Sequence, residues 1–131
     1  MAIPSGSGTE VLRRNSIVNQ STSDTSIDWA QAVQTTAGNS SGTVAVPANV
    51  IITILTITVC NRSGDTRTID LRIDRAVSHS AIRILANQSI ESEGTFVFSD
   101  KLVLRENDTL TFDASGTSMD VHVNYIYQDW T

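Results

Sequence analysis

Cys60 is the sole cysteine among 131 residues, so no disulfide can form within the chain. Aromatic residues are scarce too, at 5%. A glycosidase needs two carboxylates in an aromatic-lined cleft, and a sugar-binding platform needs exposed rings, so both readings start weak. Charged residues reach only 18%, below the typical quarter. The net charge is −5 and the pI about 4.7, which argues against nucleic acid, because a phosphate backbone demands a basic stripe. One Lys, Lys101, stands against eight Arg, a bias compatible with protein–protein contacts. The most apolar run, from Val50 to Cys60, is interrupted by Thr and falls far short of the roughly 20 residues that cross a bilayer. Residues 1 to 10 have neither a basic start nor an apolar core. The expectation is a soluble product made in the cytoplasm, with no signal peptide and no membrane partner.

Catalytic patterns are missing as well. His79 and His122 are the only histidines, and their spacing fits no metal motif. The ten Asp residues are scattered singly, without the Asp-x-Asp-x-Asp-Gly spacing of a calcium loop. There is no Gly-x-Ser-x-Gly elbow. Gly6-Ser7-Gly8 has no strand signal before it and no helix signal after it, so it does not read as a phosphate loop. The sequence therefore predicts no catalytic residue, no metal and no cofactor. Asn19, Asn39, Asn61, Asn87 and Asn107 open Asn-x-Ser/Thr triplets, which without a secretory signal read as composition.

What the chain does contain is Ser and Thr, 16 of each, and many short apolar runs. From Val44 to Tyr127 these runs are cut by Asn, Asp, Gly and Ser, and no helical period of useful length occurs. Ile69, Leu71 and Ile73 alternate with Asp70, Arg72 and Asp74, the pattern of a strand with one face inward. The last strand puts Met119, Val121, Val123, Tyr125 and Tyr127 on one face. In Val50 to Cys60 both faces are apolar at the start, predicting a central strand, with Cys60 as a buried thiol. Residues 42 to 46 read as a strand ended by Pro47. Two inward Leu residues, a polar turn at Glu106-Asn107-Asp108, and Leu110 with Phe112 resuming the core form a jelly-roll-like turn. The predicted fold is all-β: a single antiparallel β-sandwich, jelly-roll-like, of about eight strands, at residues 43–131.

Ahead of it, residues 1–42 read as an extended polar arm without strands. Its apolar island carries Trp29, an indole that must be covered either by its own domain or by a neighbour. Trp130, next to the chain end, poses the same choice. Ile3, Val11, Leu12, Arg13, Arg14, Trp29 and Trp130 are the candidate partner-binding residues, with Arg13 and Arg14 available to acidic patches.

The stretch from Ile3-Pro4-Ser5-Gly6-Ser7-Gly8 through Arg13-Arg14 resembles the opening of small virion structural proteins of tailed bacteriophages, including phages of cyanobacteria. Val46-Pro47-Ala48-Asn49, followed by the apolar strand and Val59-Cys60-Asn61, is similar to a module of those proteins. So are Phe96 to Leu104 and Tyr125 to Thr131. The resemblance spans most of the chain, is weakest at residues 15–42, and brings no active-site residues. It implies a non-enzymatic virion component: a head decoration or cement protein that binds the particle through its arm and self-associates, a trimer being one arrangement. Its partners would be the major capsid, neck or tail protein. Alternatives within the same resemblance are a collar, neck or tail-fibre-associated protein; a receptor- or carbohydrate-binding module is a separate reading.

Overall fold

A computed structural model describes residues 9–30, 33–34, 43–75 and 81–130 of the chain. These contain ten strands and no helix. In chain order they are β1 (Thr9–Gln20), β2 (Thr25–Ser26), β3 (Val33–Gln34), β4 (Val50–Asn61) and β5 (Arg67–Asp74). There follow β6 (Ile82–Ile90), β7 (Thr95–Phe98), β8 (Leu102–Leu104), β9 (Thr109–Ala114) and β10 (Met119–Asp129). The larger sheet has the order β3-β1-β10-β4, with β7 and β8 both pairing along the free side of β4. The smaller sheet has the order β2-β9-β5-β6. Every pairing is antiparallel except the short contact of β1 with β3. Counting β7 and β8 as one interrupted edge, and setting β3 aside, leaves eight strands in two sheets with jelly-roll connectivity. The all-β sandwich is thus the fold.

Alternation builds the core. Ile69, Leu71 and Ile73 of β5 and Met119, Val121, Val123 and Tyr125 of β10 are buried, as their spacing predicts. In β4 the alternation breaks. Val50, Ile52 and Ile54 are buried, and so are Ile57 and Val59, because pairing jumps from Asn124↔Thr56 to Tyr125↔Ile54. The bulge at Leu55 inverts the two faces of the strand, so one uninterrupted alternation over residues 51–60 assigns half of them to the wrong side. Cys60 consequently lies on the outward side and is half-buried, not a sealed core thiol.

The boundary at residue 42 does not hold for the described part of the arm. Thr9–Gln20 is a twelve-residue strand that pairs with β10 from Thr9↔Asp129 to Ile17↔Val121, an integral strand of the larger sheet. Its polar composition hid it. Of its inward residues, Ile17 is a buried hydrophobe, whereas Asn15 and Gln20 are buried amides that reach backbone carbonyls. Asn15 donates to the Asp28 carbonyl at 2.8 Å and Gln20 to the Ser23 carbonyl at 2.8 Å. Hydrogen bonds replace the apolar pattern that would have announced a strand. Residues 43–46, conversely, form no strand. Val46 joins the β8–β9 turn through its N–H to the Asp108 carbonyl and its carbonyl from the Asn107 N–H, each at 2.9 Å.

The asparagines serve turns and junctions. Asn19, Asn49, Asn87 and Asn107 hold positive φ, between 52° and 70°, where asparagine is tolerated better than most residues.

Candidate interaction face

The register of the larger sheet lines up side chains across its outer face. Leu12 pairs with Ile126, Ile126 with Thr53, and Thr53 with Val103. Because side chains alternate along each strand, and the neighbours Ile52, Leu104 and Tyr125 turn into the core, this row of four points outward. Leu12 is 71% exposed and Val103 65% exposed, and they flank the half-buried Ile126 and Thr53. A parallel row runs Ser16–His122–Thr58–Val97, with Val97 57% exposed. Between the two lies Arg14–Asn124–Thr56.

Several polar groups of this face bond one another. Ser16 Oγ and His122 Nδ1 lie 2.6 Å apart, and the Asn124 amide donates to Thr56 Oγ1 at 2.8 Å. Gln128 donates to Glu10 at 3.2 Å. At the far end Arg62 pairs with Asp120 at 2.7 Å and also reaches Asn19. On the strands of this face and the turn after β4, Glu10 and Asp120 offset Arg14 and Arg62, while Lys101 and Arg105 stand exposed just beyond the two ends of β8.

The outer face of the smaller sheet is a different surface. Arg72 sits at its centre, donating to Asp24 at 2.9 Å and to Asp74 at 3.0 Å, while Arg83 lies 3.4 Å from Asp70. Thr111 donates to Asp74 at 3.1 Å, and Ser26 and Thr111 are 2.9 Å apart. The Arg72 hydrogen bond holds the Asp24 carboxyl below its ordinary range, and the same bond raises the Arg72 guanidinium above its own. Four carboxylates, Asp24, Asp70, Asp74 and Asp113, face two guanidiniums, Arg72 and Arg83, leaving this face at −2.

Asp113 is the strained member. It stands directly opposite Asp70, and its Oδ1 is buried with no hydrogen-bond partner. Burial, then the charges of Asp24 and Asp70, push its carboxyl above its ordinary value. A carboxyl raised on folding favours the folded state at low pH, and that contribution disappears as pH rises through the raised value. Asp113→Asn should therefore stabilise the protein at pH 7 by about 0.2–1 kcal/mol, the usual cost of facing like charges. The gain should vanish below pH 3.8, where the unfolded carboxyl is protonated too. Urea titrations of both chains at pH 7 and pH 3 check this.

The structure separates the sequence-predicted contact residues. Leu12 and Arg14 lie on the outer face of β1 and are exposed. Val11 and Arg13 occupy the opposite side of that strand, where Arg13 stacks 4.0 Å from the Tyr127 ring centroid and donates to the Trp29 carbonyl at 3.3 Å. Trp29 is 1% exposed and packs edge-on against Tyr125, their centroids 5.0 Å apart. Its own domain covers it, so it is removed from the contact residues. Trp130 is half-buried; its backbone N–H donates to the Asn49 carbonyl at 2.9 Å, while its indole nitrogen is buried without a partner. Ile3 and His79 lie outside the described residues. Ile126, Thr53 and Val103 were missed: each looks ordinary within its strand, and only the cross-strand register assembles them.

Other candidates are weaker. An open depression of about 310 Å³ beside the β6–β7 turn is lined by Ser89, Ile90, Glu91, Gly94, Thr95 and Phe96, with one carboxylate. Among the described residues no three His, Cys, Asp or Glu side chains gather as a metal site would require. No described helix is long and apolar enough to cross a membrane. No family model matches the chain, and no curated protein does.

Proposed function

We propose that the protein is a non-enzymatic structural subunit of a larger assembly, and that it meets its neighbours through the outer face of the larger sheet. The carrying observation is the contrast between the two outer faces. One leaves Leu12, Val97 and Val103 open to solvent; the other centres on the Arg72 ion-pair network and carries an excess of carboxylates. Exposed hydrophobes grouped among satisfied polar groups mark a contact surface. Jelly rolls serve in capsids, lectins and cupins alike, so the fold by itself does not choose among these.

The resemblance to tailed-phage proteins names the assembly: a virion, with the subunit as a capsid decoration or cement protein and the major capsid protein as its neighbour. A collar, neck or tail-fibre position uses the same surface and is the second reading. A carbohydrate platform is less favoured, because the rings of Trp29 and Tyr125 are in the core.

The test is co-sedimentation with particles assembled without this chain. The full chain should bind in a saturable, stoichiometric manner, and a chain that stays in the supernatant contradicts the proposal. Deleting residues 1–40 would not isolate an arm, since it removes β1 and Trp29; removing residues 1–8 leaves both intact.

A further inference from the structure

We infer that the occupant of this face is a second copy of the same chain, packed row on row in an isologous dimer; the inference rests on reading the face as a contact surface. Charge comes first. The charges of the larger sheet's face have both signs, Glu10 and Asp120 against Arg14 and Arg62, with Lys101 and Arg105 at its margin, so a second copy can meet it with opposite charges apposed, whereas two of the −2 faces would repel. Size comes next. Four strands about 4.8 Å apart and ten residues rising about 3.3 Å each give a face of roughly 20 by 33 Å, or about 650 Å² per copy. A standard stable interface takes roughly 800 Å² per partner, and the corrugation of side chains closes much of that difference.

Geometry agrees. Two sheets packed face to face are related by a two-fold axis lying in the plane between them. With that axis along the row or across it, the row Leu12–Ile126–Thr53–Val103 meets itself. Part of the polar cost of burial is already met, since Ser16 with His122 and Asn124 with Thr56 are paired within one copy. Arg14 lies on the outer strand of the patch, from which its long stem can carry the charge to the rim.

Sedimentation equilibrium of the full chain tests this, with circular dichroism to verify folding. The wild type should show a concentration-dependent dimer. Thr53→Arg, which places a charge at the centre of the row, should weaken association on the order of 100-fold, as should Val103→Glu. Thr68→Arg, on the outer face of the smaller sheet, should leave it unchanged. A wild type monomeric at every concentration overturns the inference, as does a dimer indifferent to both row substitutions. If the wild type is monomeric and Thr53→Arg abolishes co-sedimentation with particles, a different protein occupies the face. In that case the self-association falls while the contact-surface reading stands. If the wild type is monomeric and Thr53→Arg still binds particles, the contact-surface reading itself fails.

Discussion

Replacing Trp29 with alanine should destabilise the protein by about 3–5 kcal/mol, the range for deleting a large buried aromatic. Trp29 is one of the largest fully buried side chains, and it closes the larger sheet where β1 meets β10. Its ring packs edge-on against Tyr125 at an interplanar angle of 77°, and its indole N–H donates to the Val44 carbonyl at 2.9 Å. Its backbone N–H donates to the Thr43 carbonyl, so one residue fastens the incoming loop to the core. The loss would consume a large share of the 5–15 kcal/mol that holds a typical domain together. Trp29→Phe keeps most of the packing and loses the indole hydrogen bond, so a smaller cost of about 1 kcal/mol above the volume change is expected. Denaturant titration followed by circular dichroism distinguishes the cases. An alanine variant as stable as the wild type would return Trp29 to the role of a surface anchor.

The second large effect belongs to Asn61, at the end of β4. It is fully buried, and its amide donates to the carbonyls of Asp65 at 2.8 Å, Ile90 at 3.1 Å and Glu91 at 3.1 Å. Its side-chain oxygen accepts from the Ser63 N–H at 3.0 Å and the Ser63 hydroxyl at 2.7 Å. One carboxamide thus ties the β4–β5 turn to the end of β6 across the two sheets. Asn61→Ala leaves these groups, the buried Ile90 carbonyl among them, without their partner and should cost about 2–4 kcal/mol. Asn61→Asp should cost at least as much, because a carboxylate turns acceptors toward carbonyls. The same titrations read both variants, and a loss below 1 kcal/mol would show that water replaces the amide.

These two residues also show what the sequence reveals and where it stops. The inward hydrophobes of β5 and β10 were legible because strict alternation is a local signal. β4 was legible as a strand, but the inversion of its faces at Leu55 was not, since a bulge leaves no apolar marker. β1 was illegible because Asn15 and Gln20 bury amides where a strand normally buries aliphatic groups, and their partners are Asp28, beyond β2, and Ser23, in the β1–β2 loop. Asn61 read as the start of an Asn-x-Ser triplet; its partners Ile90 and Glu91 lie about thirty positions away. Of the site, Leu12 and Arg14 were picked out for standing in a polar stretch. Ile126, Thr53 and Val103 join them only through register, a property of paired strands that no single stretch displays.

The central claim is that the outer face of the larger sheet is covered in the assembled protein. Thr53 is half-exposed at the middle of the row, and cysteine is close to threonine in size, so Thr53→Cys in a Cys60→Ser chain places one small reporter there. Its rate of alkylation by iodoacetamide, followed by mass spectrometry, should fall at least tenfold between dilute and concentrated protein. A rate unchanged with concentration, in a chain that sedimentation shows to be associated, would place the contact elsewhere and contradict the account.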